Sequence, residues 1–281
     1  MFKNSTAFLV VLLMAFSAQA QTDSITFVKA KWETHKIAPG VKWKHYWFNK
    51  NLFDTNQNIN ILEIDRHKKV KLALGYQKQE LKLVSDFATL ANAVAAINGS
   101  FFDVKNGGAV DLIRVNGEII SPNKFNKAGV RAVHQKSALL FNNGTVSIAK
   151  WDGTNDWESH LNGDIMDTGP LLVYDNNIQV LDTTSLIKMR HPRTAVAITK
   201  KHILLITIDG RNTNAGGVNL YELAKLLKWL KTTDGINLDG GGSTTMWINK
   251  QTDNGIVNYP CDNKKWDRQG ARKVANVLLV E

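Results

Sequence analysis

The stretch "NLDGGGSTTMWI" (residues 237–248) places three consecutive glycines between two apolar, strand-like runs. Glycine loses more backbone entropy on folding than any other residue, and it offers no side chain to a core. A run of three at the end of a strand therefore indicates either a tight turn with positive φ or a close approach to the backbone of Gly240, Gly241 and Gly242.

A second stretch, "AAINGSFFD" (residues 95–103), has the same order of features. In both stretches a helix-like segment leads into an apolar strand, and the strand ends in an amide or acid followed by glycine and serine. Ligands commonly bind where strand ends meet glycine loops. We therefore expect these two loops to face one cleft.

Most of the remaining pattern is typical of short strands. Runs rich in Val, Ile and Leu that end at Asn, Asp or Gly occupy residues 59–65, 70–76, 137–143, 145–149, 170–175, 194–199, 202–209, 235–239 and 273–280. An Asn-Gly pair between the third and fourth runs predicts a hairpin turn. A second hairpin is predicted over residues 194–209.

Two segments have helical patterns. Residues 85–96 begin at Ser85, a good helix cap, and residues 219–231 begin at Asn219 with Glu222 three positions on, which resembles a capping box. The fold class predicted is mixed α+β, with largely antiparallel sheet and two main helices packed on it.

The first twenty residues predict export. An early lysine, an apolar stretch and Ala-Gln-Ala at positions 18–20 are the three parts of a secretory signal peptide. The predicted mature chain, residues 21–281, is a single periplasmic or secreted domain in which residues 21–69 are peripheral. The apolar stretch is too short for a membrane span.

The formal net charge is +10, which favours anionic surroundings such as envelope polymers or a phosphorylated substrate. The basic residues are scattered, and no helix-turn-helix, zinc-finger or RRM signature is present, so nucleic acid is not a predicted partner. The single cysteine, Cys261, is expected to be an incidental thiol.

Standard hydrolase and nucleotide-binding signatures are absent from the sequence: there is no G-x-S-x-G, no Walker loop, no G-x-G-x-x-G after a strand and no H-E-x-x-H. Four polar clusters border apolar strands instead: residues 98–103, 191–194, 209–211 and 237–244. A carboxylate at the inner end of a buried strand is costly unless it is paired or functional.

In their order and content these clusters resemble the phosphodiester glycosidases, the family of the lysosomal uncovering enzyme. The resemblance consists of N-G-x-F-F-D, R-T-A after a proline, a strand ending D-G-R, a helix leading into L-D-G-G-G-S-T, and the closing "GARKVANVLLV" with Arg272. It runs from about Val70 to the last residue. It departs from the family at "MDTGPLLV", where more glycine is common, and at the loose match over residues 110–114.

The resemblance implies an exported hydrolase that cleaves the glycosidic bond of a sugar-1-phosphodiester, with N-acetylglucosamine as a candidate sugar. The implied catalytic residues are Asp239, Asp103 and Asp209, with Asp209 in a supporting role. The implied substrate-binding residues are Asn98, Arg193, Thr194, Arg211, Gly240, Gly241, Gly242, Ser243, Thr244 and Arg272. In this interpretation, backbone N–H groups of the glycine loop bind phosphate or sugar oxygens. No cofactor or metal is predicted.

Each of these residues has a structural alternative. The three aspartates could cap Asp-Gly or Asx turns, the two arginines Arg193 and Arg272 could form structural ion pairs, and His191 could be a structural histidine. Two alternative functions also stay open: a phosphodiesterase that breaks the P–O bond, and a non-catalytic envelope module that binds glycans.

Overall fold

The computed structural model describes residues 22–125 and 129–281, so the predicted signal peptide lies outside the described residues. Short strands dominate them: β1 Glu33–Ala38, β2 Val41–Leu52, β3 Thr55–Asp65, β4 Leu72–Tyr76, β5 Ala95–Asn98, β6 Ile113–Val115, β7 Glu118–Ser121, β8 Ser137–Asn142, β9 Thr145–Lys150, β10 Asp164–Asp167, β11 Leu171–Tyr174, β12 Asn177–Ile178, β13 Arg193–Ile198, β14 His202–Ile208, β15 Asp234–Asn237, β16 Met246–Ile248 and β17 Asn276–Val280. The helices are α1 (residues 22–28), α2 Val84–Leu90, α3 Ser185–Lys188 and α4 Leu220–Trp229.

The strands form three antiparallel sheets. An eight-stranded sheet has the order β1-β2-β3-β14-β13-β15-β11-β12, a five-stranded sheet the order β7-β6-β10-β8-β9, and a four-stranded sheet the order β16-β5-β17-β4. The prediction of largely antiparallel sheet with few helices is confirmed. Both predicted hairpins are present, β8–β9 and β13–β14. At the first, Asn143 and Gly144 have positive φ of 50° and 74°, as a tight hairpin turn requires.

One hydrophobic core is shared by all three sheets. It contains Leu62 and Val196 from the eight-stranded sheet, Leu139 from the five-stranded sheet, and Ile97 and Leu278 from the four-stranded sheet. Each of these side chains is fully buried. Every second side chain of these strands points into this core, and the close packing there fixes the position of each strand. The polar ends of β5, β13 and β15 are therefore held in place relative to one another.

Helix α4 packs on the opposite face of the eight-stranded sheet through Leu220, Leu223 and Leu227. Its start is the predicted capping box: the Asn219 side chain accepts from the Glu222 N–H at 2.8 Å, and Glu222 accepts from the Asn219 N–H at 3.0 Å. A cap of this kind is worth about 1 kcal/mol.

Helix α2 packs on the outer face of the four-stranded sheet and is shorter than predicted. It ends at Leu90 instead of residue 96, because Asn92 adopts a left-handed φ of 53° and residues 95–98 join the sheet as β5. Its N-cap is Leu83 and not Ser85. Leu90, its last residue, is exposed. None of the described helices is long and apolar enough to cross a membrane.

Candidate active site

The loops after β5 and β15 are joined directly, as the sequence predicts. The Asn98 amide donates to the Asp239 carbonyl at 2.7 Å, and the Asp239 N–H donates to the Gly99 carbonyl at 3.0 Å. The Asn98 side-chain oxygen accepts from the Thr194 hydroxyl at 2.7 Å and from the Thr245 N–H at 3.1 Å. Asn98 and Thr194 are fully buried, so they tie β5, β13 and the glycine loop together.

A cavity of about 250 Å³ opens beside this junction. All four polar clusters named in the sequence analysis contribute residues to its wall. Its walls are Phe101, Leu186, His191, Arg193, Arg211, Asn237, Leu238, Asp239, Gly240, Gly241, Gly242 and Arg272. Among these residues Asp239 is the one carboxylate, and the three arginines give the cavity a positive charge.

Asp239 has the properties of a reactive carboxyl group. Burial raises its pKa from 3.8 to about 6, against the opposing effects of Ser243, the Gly240 N–H and the charge of Arg272. The Gly240 N–H donates to Oδ1 of Asp239 at 2.9 Å. A carboxyl group with a pKa near 6 is largely ionised at neutral pH, yet it is a stronger base than an ordinary aspartate.

The three glycines make room for protein groups around the cavity. A Cβ on Gly240 would lie 2.6 Å from the Pro192 carbonyl oxygen, and one on Gly241 would lie 3.1 Å from the Arg211 guanidinium. A Cβ on Gly242 would lie 2.6 Å from Nη2 of Arg272. Gly241 also has a φ of 62°, a conformation that favours glycine. The run of glycines thus lets two cavity arginines lie directly on the loop backbone.

The backbone N–H groups of this loop are directed differently from the prediction. Those of Gly240 and Gly241 donate to Oδ1 of Asp239 and to the Pro192 carbonyl. The N–H groups of Ser243 and Thr244 donate to the carbonyls of Gly240 and Gly241 and close a one-turn 3-10 helix. Because these four donors have protein acceptors, the loop offers the cavity fewer backbone N–H groups than predicted, and the guanidinium groups supply the positive charge beside it.

Arg211 is the cavity arginine that is least engaged by the protein. It is exposed, has a left-handed φ of 61°, and contacts Nδ1 of His191 at 3.2 Å through Nη2. A guanidinium group can only donate, so Nδ1 of His191 acts as the acceptor. Burial and the charges of Arg193 and Arg211 lower the pKa of His191, which agrees with a neutral ring.

Arg193 and Arg272 are held by other groups. Arg193 is buried and donates to the carbonyls of Leu186, Met189 and Val218 at 2.7, 2.9 and 3.1 Å. Burial lowers its pKa to about 10. Arg272 forms an ion pair with Asp262, and this contact raises its pKa. Arg272 thus forms a structural ion pair, Arg193 is held by backbone carbonyls, and both contribute positive charge to the cavity wall.

The other two predicted carboxylates lie outside the cavity wall. Asp103 accepts from the N–H groups of Lys105 and Asn106 and from the Asn106 amide at 2.9–3.0 Å, which is the turn-capping alternative. These bonds lower its pKa. Asp209 is buried and accepts from Asn58, Asn258 and the Tyr259 N–H at 2.7–3.0 Å, so it anchors the end of β14.

A polar pair next to the cavity was not predicted. The buried carboxylate of Asp111 contacts Nδ1 of His134 at 2.9 Å and accepts from the Gln135 amide at 3.0 Å. The His134 ring lies 4.7 Å from the ring of Phe101, a wall residue, and the charge of Asp111 helps raise the pKa of Asp239. Asp111 belongs to the segment, residues 110–114, that matches the family only loosely, and His134 lies 23 residues further along the chain, so the sequence did not bring the two together.

The described residues contain no group of three or more His, Cys, Asp and Glu side chains placed to hold a metal ion. The cavity wall offers a reaction one carboxylate, three guanidinium groups and the imidazole of His191.

Comparison with solved structures places this architecture among known folds. The catalytic domain of zebrafish N-acetylglucosamine-1-phosphodiester alpha-N-acetylglucosaminidase, auto-inhibited by its pro-peptide, superposes with a TM-score of 0.64 and 22% identity over 90% of this chain and 88% of that one. A hypothetical protein from Synechocystis superposes with a TM-score of 0.61 and 15% identity, over 89% of this chain and 64% of the other.

Sequence comparison gives the same relationship. The mouse N-acetylglucosamine-1-phosphodiester alpha-N-acetylglucosaminidase is 24% identical over 73% of this chain and 41% of its own length. The bovine enzyme of that name is 36% identical over 31% of this chain and 16% of its own length. The chain thus spans about two fifths of the mouse relative's length. The profile described as phosphodiester glycosidase matches residues 91–281. With the cavity built from that matched segment, the chain belongs to the phosphodiester glycosidase family.

Proposed function

We propose that this chain hydrolyses the bond between the anomeric carbon and the phosphate oxygen of a sugar-1-phosphodiester. The observation that carries the proposal is one cavity in which Asp239, with a pKa of about 6, lies among Arg211, Arg272 and Arg193. An anionic substrate is attracted to the guanidinium groups, and a carboxylate remains free to act on the sugar.

The chemistry needs few protein groups. Ordinary glycosidases use a second carboxyl group to protonate the leaving oxygen. Here the departing group is a phosphate monoester, whose second pKa is about 6, so it leaves as an anion without that proton. Neutralising the charge that builds up on the phosphate is then the main requirement, and a guanidinium group meets it.

We assign Asp239 to the anomeric carbon and Arg211 to the phosphate. Water oxygen is added to the anomeric carbon, the C–O bond to phosphate breaks, and its electron pair leaves with the phosphate. Asp239 either takes the proton of the attacking water or first forms the new bond to carbon itself. These two routes differ in the anomer released first, which NMR of the fresh product measures.

The remaining predicted residues support this centre. Asn98 and Thr194 hold the Asp239 backbone in place, and Arg272 keeps positive charge behind Gly242. The names of the mouse and zebrafish relatives make N-acetylglucosamine the first sugar to test. The signal-peptide pattern of residues 1–20 supports an activity in the periplasm or outside the cell.

The test is hydrolysis of the methyl phosphodiester of N-acetylglucosamine-1-phosphate in ¹⁸O-labelled water. We expect the label on the released sugar. Label on the phosphate would make the chain a phosphodiesterase that breaks the P–O bond. Saturable binding with no product would make it a glycan-binding module. Asp103→Asn is the matched control for Asp239→Asn, because both remove one carboxylate but only Asp239 lines the cavity.

A further inference from the structure

A second and larger cavity, of about 720 Å³, lies at the other end of the eight-stranded sheet. It is formed by the turn between β13 and β14, by the C-terminal end of α4 and by residues of β2 and β3. The mechanism proposed above uses none of its residues.

The two cavities are well separated along one strand. Strand β13 starts at Arg193 in the first cavity, and Thr199 and Lys200, just beyond its end, line the second. At about 3.3 Å per residue, seven residues of extended chain span roughly 20 Å. The second cavity is therefore too distant to hold the sugar that reacts at Asp239.

The rim of the second cavity is strongly basic. It carries the ammonium groups of Lys44, Lys200, Lys201, Lys228 and Lys231. Glu63 is the one carboxylate among the residues that line this cavity, and its Oε2 forms an ion pair with Nζ of Lys44 at 2.5 Å. Among the described residues no carboxylate lies within ion-pair distance of Lys200, Lys201 or Lys231, and all three are exposed. Several like charges around one concave surface produce a field that attracts anions.

The floor of the same cavity is apolar and contains two tryptophans. Trp32 and Trp229 are both half-buried and both line the cavity. Phe27 contacts both of them, with ring centroids 5.5 Å from Trp32 and 5.8 Å from Trp229. The two indoles are thus fixed by packing behind them. A pre-ordered aromatic surface binds the apolar face of a sugar ring with little loss of side-chain entropy.

We propose that this second cavity binds an anionic polysaccharide, with sugar rings against Trp32 and Trp229 and phosphate or carboxylate groups against the lysines. The inference stands independently of the reaction proposed for the first cavity. A polymer held at this position would be kept at the enzyme surface while a more distant linkage reaches Asp239.

Binding of phosphorylated dextran and of unmodified dextran of the same length tests this proposal, with tryptophan fluorescence and calorimetry as readouts. Lys200→Gln, Lys201→Gln and Lys231→Gln are combined in one variant. The matched control combines Lys105→Gln, Lys250→Gln and Lys265→Gln, which removes the same charge from exposed lysines outside this cavity. Inorganic polyphosphate serves as a polyanion without sugar.

We expect phosphorylated dextran to bind and to change the fluorescence, while plain dextran binds weakly. The cavity variant should lose affinity by about tenfold or more, since each exposed charge contact contributes modestly, and the control variant should keep it. Equal loss in both variants would reduce the effect to net charge and overturn the proposal. Polyphosphate binding as tightly as phosphorylated dextran, with the same fluorescence change, would overturn the sugar-binding part.

Discussion

Replacing Asp239 by asparagine should abolish turnover and at the same time stabilise the protein at neutral pH. The carboxyl group has a folded-state pKa of about 6 against 3.8 for the unfolded chain. A carboxyl group whose pKa is raised by folding binds its proton more tightly in the native state, so its ionisation lowers stability as the pH rises from 3.8 through 6. Asparagine has no charge to bury and can still accept from the Gly240 N–H.

The size of the effect follows from the same two pKa values. The linkage between proton binding and folding predicts that the Asp239 carboxyl group lowers the free energy of unfolding by about 3 kcal/mol at pH 7.5 and by about 1 kcal/mol at pH 4.5. These are upper values, because Asp239 keeps partial contact with solvent. The variant should therefore gain about 1–3 kcal/mol at pH 7.5, and the gain should shrink in acid.

Urea unfolding of wild type and Asp239→Asn at several pH values measures this difference, and Asp103→Asn is the control. Asp103 has a lowered pKa and bonds to its own loop, so its replacement should destabilise the protein at pH 7.5 and leave turnover near normal. A variant at position 239 that is less stable than wild type at pH 7.5, or a difference that does not change with pH, would refute the reasoning.

Three further outcomes are expected. The kcat/KM profile of wild type should have an acid limb near pH 6 and fall about tenfold between pH 7 and pH 5. Asp111→Asn should move that limb to lower pH, because the substitution removes a negative charge that raises the pKa of Asp239. A limb that does not move would contradict this. Arg211→Ala should slow the hydrolysis of a sugar-1-phosphodiester about ten- to a hundredfold with little change in Tm. Arg193→Ala should instead lower the free energy of unfolding by about 3 kcal/mol, because three carbonyls lose their donor. The opposite pattern would reverse the two assignments. Mass spectrometry of the exported protein should give an N-terminus at or near Gln21, and a chain that starts at Met1 would contradict the signal peptide.

The sequence predicted those features that depend on neighbouring residues. The hairpin at Asn143-Gly144 and the cap at Asn219 were predicted correctly because each is determined by a few adjacent residues. The end of α2 was placed too late, since the left-handed turn at Asn92 interrupts a segment whose apolar pattern continues. How the strands divide into three sheets depends on pairings between distant segments, which local patterns do not encode.

The candidate site shows the same limit. The motifs correctly brought Asn98, Asp239 and the glycine loop together, because strand ends and glycines mark such junctions. They could not separate Asp239 from Asp103, since both follow similar strands and only the fold shows that Asp239 lines the cavity while Asp103 bonds to its own turn. The pairing of Asp111 with His134 requires the fold itself.

The position of strand β17 determines when, during synthesis of the chain, the candidate site can form. It lies between β5 and β4 in its sheet, and the side-chain oxygen of Asn276, its first residue, accepts from the Ser100 N–H at 2.7 Å. A ribosome makes this strand after every other strand described here, so an emerging chain has two unpaired sheet edges and an unsupported loop after β5. The loop after β5 and the candidate site beside it therefore gain their full support only once β17 has been synthesised and has paired with β5.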